Sequence, residues 1–397
     1  MKQLPLRIGV AGLGRAFTLM LPTFTRDARI RLIAGADPLA QARARFSHDF
    51  GAPTYASVEA LCADPAVQVV YIATPHQFHA EHVQIAAAHG KHVLVEKPMA
   101  ITLAQCSAMI AATDAAGVAM IVGHSHSFNT PILRTRALID SGEFGAVRML
   151  TALSFTDFLY RPRRPEELDT QAGGGVIHSQ ATHQIDILRL LGGGRVRSVF
   201  AHTGAWDRAR PTEGAYQALL SFESGVIASA TYSGYGHFDS DAWMDQIGEM
   251  GQPKCAQDYG AARQRLAELG ASAQESTLKA RRNYGGDLYR PPAADLAQDH
   301  QHFGPVIVSC DKADLRPTAT GIEICGNTQR RFEALPRPAV PRSEVIDELV
   351  DVLLHDKPAL HCGAWARSTT EVCLALLASA ASQMPQTLQW QTGLPGH

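Results

Sequence analysis

Between residues 7 and 123 the chain alternates short β-rich runs with stretches of helical length, and that alternation admits few folds other than a parallel sheet. The strand-like runs are Arg7–Ala11, Arg31–Ala36, Val69–Ala73, His92–Glu96 and Ala119–Gly123. Between them, Leu39–Phe50, Ser57–Ala63, His79–His89 and Leu103–Ala116 carry apolar residues at helical spacing. Gly51, Gly90 and Gly117 stand just beyond three of these as C-caps. Past residue 125 the pattern changes. Val147–Phe155, Tyr216–Phe222, Val226–Tyr232 and Val306–Cys310 are joined by turns more than by helices, which predicts a mostly antiparallel sheet. Two domains are therefore expected in the 397 residues: an α/β domain over 1–125 with a doubly wound parallel sheet, and an α+β domain over 126–397 with a large, mostly antiparallel open sheet. Gln252–Pro305 is polar and broken by Tyr-Gly-Gly and Pro-Pro, so it reads as an irregular insertion with one helical pattern near Ala261–Arg281. Ser343–Leu354, opened by a Ser cap, and Ser368–Ala381 read as helices.

The first strand runs into Gly12-Leu13-Gly14-Arg15-Ala16-Phe17. Gly12 permits the turn, Gly14 lets backbone approach a pyrophosphate, and Arg15 and Ala16 open a helix whose N-terminus faces the phosphates. The third glycine of the usual fingerprint is replaced by Phe17, so helix and strand are expected to pack differently. Asp37 ends the second strand 23 residues after Gly14, where a carboxylate can bond an adenosine ribose diol and repel a 2′-phosphate. No Arg follows Asp37 directly, and Arg43 is more than a helical turn away, so the unit reads as a Rossmann domain for NAD rather than NADP.

The fourth strand ends in Val95-Glu96-Lys97-Pro98, and the carboxyl ends of strands in an open α/β sheet are where ligands bind. A Lys beside a nicotinamide can exchange the substrate's hydroxyl proton, whereas an isolated Glu-Lys-Pro would be an ordinary surface Lys at a strand end. Downstream, Gly173-Gly174-Gly175 leads into Val176-Ile177-His178-Ser179-Gln180-Ala181-Thr182-His183, with Ser179 and His183 four apart on one helical face. His183 can bond or relay a proton from a reacting hydroxyl; Asp186 is expected to support the helix. His124 and His126 follow the last strand of the first domain and are expected to face the substrate. Arg161, Arg163 and Arg164 form a basic loop, and Arg holds carboxylates by bidentate hydrogen bonds.

Other classes are disfavoured. With 19% charged residues and a net charge of -2, nothing suggests nucleic acid as a partner. No apolar run approaches a membrane span, and Met1–Ile8 lacks the apolar core of a signal peptide, so a cytoplasmic protein is expected. The seven cysteines are scattered without a C-x-x-C pair, which argues against a disulfide framework.

Four ordered features together resemble the glucose-fructose oxidoreductase/inositol dehydrogenase/MocA family: the Gly12-x-Gly14 turn, Ala73-Thr74-Pro75 with His79, Glu96-Lys97-Pro98, and the glycine-led helix bearing His183. The resemblance implies that Lys97 and His183 are the catalytic pair, that Thr74, Pro75, His79, Glu96 and Pro98 line the cofactor site, and that subunits associate through the second domain's sheet. His76, His79 and His82 form an H-x-x-H-x-x-H string, but His79 is accounted for by the cofactor motif, so no metal site is expected.

The family commonly has Asp four residues before the catalytic His, where this chain has Ser179. An anionic substrate would be opposed by that Asp at a cost of about 1 to 4 kcal/mol near 4 Å. Ser179, with the arginine loop and His178 beside it, suits a carboxylate-bearing substrate. The Gly-Leu-Gly-Arg-Ala-Phe turn, the His183 helix and Val306–Cys310 with Asp314–Pro317 resemble one branch of the family. That likeness implies oxidation of an aromatic cis-dihydrodiol dicarboxylate, the cis-4,5-dihydrodiol of phthalate, in aromatic catabolism. The alternatives are a sugar or inositol dehydrogenase and a non-catalytic NAD-sensing regulator.

Overall fold

The computed structural model describes residues 4–269, 272–291 and 298–395. Residues 270–271 of the predicted Ala261–Arg281 helix and 292–297 of the predicted insertion lie outside the described residues. The chain divides into two compact units, one of Met1–His124, Ser276–Asp295 and Val340–Arg367, the other of Ser125–Glu275, Leu296–Ala339 and Ser368–His397.

In the first unit, β1 (Leu6–Ala11), β2 (Ile30–Ala36), β3 (Thr54–Tyr55), β4 (Val69–Ile72), β5 (His92–Val95) and β6 (Met120–Val122) form one sheet in the order β3-β2-β1-β4-β5-β6. Every pairing is parallel. The strands read as unbroken apolar runs because both faces are covered: Val70, Ile72, Val93 and Val95 are buried in one core with Leu61, Val83 and Met109. Those covering residues come from α3 (Val58–Cys62), α4 (His79–Ala88) and α5 (Leu103–Ala116). α1 (Arg15–Arg26) and α2 (Ala40–Phe50) complete the crossovers. Gly51 and Gly117 end α2 and α5 in the left-handed conformation that glycine adopts at no steric cost. Chain order reverses between β1 and β4, the switch point at which such sheets bind ligands.

Two details depart from expectation. Phe17 is fully buried and packs edge-on to Tyr284, with ring centroids 5.1 Å apart, and tilted against Phe46 at 6.0 Å. The distal part of the region read as an irregular insertion therefore docks where the fingerprint usually has its third glycine. In α10 (Ser343–His355) the cap is not Ser343 but Arg342, buried in a left-handed conformation at φ 57°.

In the second unit a nine-stranded sheet runs β14-β13-β12-β11-β7-β10-β9-β8-β15. Its strands are β7 (Val147–Phe155), β8 (Val196–Gly204), β9 (Ala215–Phe222), β10 (Ile227–Ser233), β11 (Val306–Cys310), β12 (Ala313–Pro317), β13 (Gly321–Gly326), β14 (Arg330–Ala334) and β15 (Gln386–Thr387). Only β7 and β10 pair in parallel. Leu150, Ala152, Ala218, Leu220, Ala228 and Ala230 are buried on one face. On the other, the registers Met149↔Ile227, Leu219↔Ser229 and Ile307↔Thr151 align exposed Met149, Ile227, Leu219 and Ile307 across four strands. The unit's helices are α6 (Thr130–Asp140), α7 (Thr182–Gly192), α8 (Ala261–Leu269) and most of α11 (Gly363–Ser382), which starts ahead of the predicted Ser368, while most of α9 (Ser272–Arg282) belongs to the first unit.

α7 is fixed by a buried polar network. The Asp186 carboxylate accepts from Ser127 and, at 2.7 Å, from Thr369. Fully buried Arg189 donates to Thr369 (2.7 Å), to the Gly194 carbonyl (3.1 Å) and to the Thr392 carbonyl (3.3 Å). Removing one charge from such a network strands the other in low dielectric, so Arg189→Ala is expected to cost about 3 to 5 kcal/mol. Urea denaturation checks this; a loss below about 1 kcal/mol, the range of ordinary surface substitutions, would contradict it.

Candidate active site

In the first unit the candidate residues lie along the carboxyl ends of the strands. Gly12 has φ 91°, and a Cβ there would sit 2.8 Å from the Ala73 carbonyl carbon and oxygen, so only glycine fits where the β1 turn crosses the β4 turn. At Gly14, which precedes α1, a Cβ would meet nothing within 4 Å; the backbone there is open to a ligand. Arg15 and Ala16 begin α1, so the helix start faces that opening. Asp37 is pinned by two backbone N–H donors, Leu13 to Oδ2 and Leu39 to Oδ1, both at 2.8 Å. A carboxylate offers about four lone-pair directions, so acceptor capacity remains for a ribose diol. Arg43 Nη1 donates to the carbonyls of Asp37 and Pro38, which anchors it to this turn. The open glycine turn, the helix start and the oriented carboxylate together fit a dinucleotide.

The β4 and β5 loops are tied through His79. Its ring is fully buried, with Nδ1 2.9 Å from the Pro98 carbonyl and Nε2 2.9 Å from the Thr74 carbonyl. Burial pulls its pKa down to about 4, while the carbonyls around it favour the charged form, the one that donates from both ring nitrogens. His79 thus braces Ala73-Thr74-Pro75 against Glu96-Lys97-Pro98 from inside. Glu96 is also buried and accepts from the Tyr71 hydroxyl at 2.6 Å. Burial raises its pKa, while Tyr71, Arg342, Lys97 and the His124 backbone N–H favour its charged form. Half-buried Lys97 therefore leaves β5 beside a carboxylate that is itself held by the fold.

In the second unit the glycine run is explained residue by residue. Gly173 and Gly175 have φ of 85° and 78°, and a Cβ on Gly174 would meet the Glu166 and Glu167 backbone at 2.6 Å. A Cβ on Gly175 would collide with the Glu213 carboxylate. That carboxylate accepts from the Ile177 N–H at 3.2 Å and from Thr170, capping the start of the helix. The turn Ile177–Ala181 is π-helical rather than α-helical, a local form often found at functional sites. It carries buried His178, whose pKa is lowered by burial, and Ser179, whose hydroxyl turns back onto the Gly175 carbonyl.

His183 follows in α7, buried against His126 (centroids 4.7 Å apart) and Phe303 (5.0 Å). Tyr232 stacks on Phe303 at 6.0 Å. The Asn129 amide donates to the Gln301 carbonyl (2.8 Å) and to His126 Nδ1 (2.9 Å), which leaves the His126 proton on Nε2, 3.4 Å from Glu249. Asn129, Tyr232, Glu249 and Phe303 were not singled out from sequence. They come from separate loops and strands and share no spacing. The three loop arginines differ: Arg161 lies 3.5 Å from Asp157, Arg164 lies 3.2 Å from Glu166, and Arg163 stacks on the Phe158 ring at 3.6 Å.

Residues 6–124 match the model of an oxidoreductase family with an NAD-binding Rossmann fold, and residues 132–252 match the GFO/IDH/MocA C-terminal domain. The chain is 48% identical to the 1-carboxy-3-chloro-3,4-dihydroxycyclo hexa-1,5-diene dehydrogenase of Comamonas testosteroni over 94% of both chains. It is 26% identical to the inositol 2-dehydrogenase of Rhizobium meliloti over 58% of this chain and 70% of that one. Among solved structures, a Bordetella bronchiseptica RB50 protein described as a dehydrogenase superposes with a TM-score of 0.91 at 38% identity, covering 97% of this chain and all of that one. A match of this extent to both domains, on the glycine turn, Asp37 and Glu96-Lys97-Pro98 already described, makes the chain a member of the GFO/IDH/MocA family and an NAD-dependent oxidoreductase.

Proposed function

We propose that this enzyme oxidises the cis-4,5-dihydrodiol of phthalate to 4,5-dihydroxyphthalate, with Lys97 and His183 as the catalytic pair. Residues 1–125 would bind NAD and residues 126–397 the substrate. The observation that carries the reading is the chemistry of the second unit: an uncharged Ser179 stands before His183, and Arg161 and Arg163 both act electrostatically on Tyr232, in the wall around that histidine. A substrate carboxylate would meet two arginines there against one carboxylate, Glu249, and no carboxylate at position 179. The name of the Comamonas relative, a carboxylated dihydroxycyclohexadiene dehydrogenase, supports the same class. It also favours a second reading, in which the ring carries one carboxylate rather than two.

Bound NAD would supply the hydride acceptor. Lys97 would take the proton from the reacting hydroxyl, and Glu96, braced through Tyr71, would keep the lysine in place. His183 would hydrogen-bond the same oxygen or its neighbour. The hydroxyketone so formed tautomerises, the proton leaving its one hydroxyl-bearing sp3 ring carbon and the ketone oxygen gaining a proton, to give a catechol, and aromatisation makes the oxidation one-way.

Association through the second sheet is part of this proposal. Met149, Ile227, Leu219 and Ile307 make an apolar stripe of the kind that a second copy covers. No described helix is long and apolar enough to cross a membrane. A cytoplasmic enzyme is proposed.

NADH absorbance with purified protein, NAD and the phthalate dihydrodiol, run beside myo-inositol, glucose and xylose, tests the function. Formation of NADH with the dihydrodiol alone is expected, and activity confined to a neutral polyol would overturn the substrate. In the same assay Lys97→Ala is expected to lower kcat by about 100-fold or more while NAD still binds. Retained turnover would remove Lys97 from the role of base.

A further inference from the structure

The loop Tyr160–Pro165 presents three arginines that sequence cannot rank, and the structure separates them by what each guanidinium already holds. Arg164 is engaged by acidic neighbours, 3.2 Å from Glu166 and 3.6 Å from Glu167. Arg161 lies 3.5 Å from Asp157 and within the field of Glu249. Arg163 alone makes no guanidinium ion pair among the described residues. Its Nη2 donates to the Phe158 carbonyl at 2.6 Å, and its plane lies 3.6 Å over the Phe158 ring. Its Nε, like that of Arg164, is buried and has no hydrogen-bond partner among the described residues, but Arg164 Nε has carboxylates at ion-pair distance and Arg163 Nε has none.

This cation is held from both ends. The Arg163 backbone N–H donates to Glu275 at 2.9 Å, and that carboxylate is already neutralised by buried Arg210 at 2.8 Å. Glu275 therefore fixes the loop without supplying a net counter-charge to Arg163. Burial pushes the Arg163 pKa down to about 10, with Arg161 and Arg210 adding to the push and Glu167 and Tyr232 opposing it. An arginine does not deprotonate in a protein at ordinary pH, so this is a buried cation whose counter-charge, Glu167, acts from beyond ion-pair distance. Among the described residues no acceptor bonds Nη1, and Nη2 keeps a second N–H, so the end of the guanidinium offers two parallel donors. Two parallel N–H groups match the geometry of a carboxylate. Arg163 also acts electrostatically on Tyr232, which stacks on the Phe303 that touches His183.

We propose that Arg163 is the residue that receives the substrate's ring carboxylate, while Arg161 and Arg164 serve the loop's own acidic residues. The inference rests on the carboxylated-dihydrodiol reading above and adds to it which cation sets specificity. Substrate binding would supply a counter-ion at ion-pair distance, so the energetic return on a carboxylate is larger at Arg163 than at its two neighbours.

The test compares kcat/KM for the phthalate dihydrodiol with kcat/KM for the uncarboxylated benzene cis-dihydrodiol in Arg163→Met, Arg161→Met and Arg164→Met. Arg163→Met is expected to lower the ratio of the two by about 100-fold, mostly through KM. A merely structural role would lower both values together and leave the ratio unchanged, which overturns the proposal. A larger fall in the ratio for Arg161→Met or Arg164→Met overturns it too. A second measurement does not depend on turnover: titration of the NADH-loaded protein with phthalate, in which Arg163→Met is expected to weaken binding by about 30-fold or more. Unchanged phthalate affinity contradicts the assignment. If the unmodified enzyme turns over only neutral polyols, the substrate reading and this inference fall together; if it turns over the carboxylated diol and Arg163→Met does so equally well, only the inference falls.

Discussion

The backbone crossing at Gly12 sets the terms for the whole carboxyl edge of the first sheet. Where β1 ends, the chain passes so close to the Ala73 carbonyl that no side chain fits, and the turn must take a positive φ. With that turn fixed, the Leu13 N–H reaches Asp37, the Ala73–Pro75 loop lies against the glycine turn, and His79 carries the constraint to the Glu-Lys-Pro segment. Lys97 thus inherits its place from a chain of backbone and buried-ring contacts.

The second unit solves an equivalent problem with charge. Gly175 leaves room for a carboxylate, Glu213, at the start of the helix, Gly174 clears the Glu166–Glu167 backbone, and the π turn then presents His178 and Ser179 ahead of His183. Below it, Asp186 and Arg189 lock α7 through Ser127 and Thr369. Around His183 the surroundings are aromatic and cationic, with Glu249 the counter-charge that sequence did not reveal. Burying a network of this kind is costly unless every member is satisfied, which is why its supports are so specific.

Much of this was legible in the sequence where a local pattern carries the physics. The alternation of strands and helices, the Gly12-x-Gly14 turn, Asp37 at the second strand end and Glu-Lys-Pro at a later one each follow from short-range spacing. What could not be read depends on distant partners. Phe17 stands where a glycine was expected, and its reason is Tyr284, over 250 residues away. Ser343 has the composition of a cap, but Arg342 adopts the left-handed conformation there, buried near Glu96. Asn129 fixes the His126 tautomer only through Gln301, and the three loop arginines look alike until Asp157, Glu166 and Glu275 are placed around them. Ranking of like residues is a tertiary property.

On the proposed function, the charge around position 179 selects a carboxylated ring. Ser179→Asp would place a carboxylate one turn from His183, and the direct measurement is the ratio of kcat/KM for the carboxylated dihydrodiol to that for its uncarboxylated counterpart, before and after the change. This ratio is expected to fall by about tenfold or more, as for like charges a few ångströms apart in a partly screened site. A ratio that does not move would contradict it.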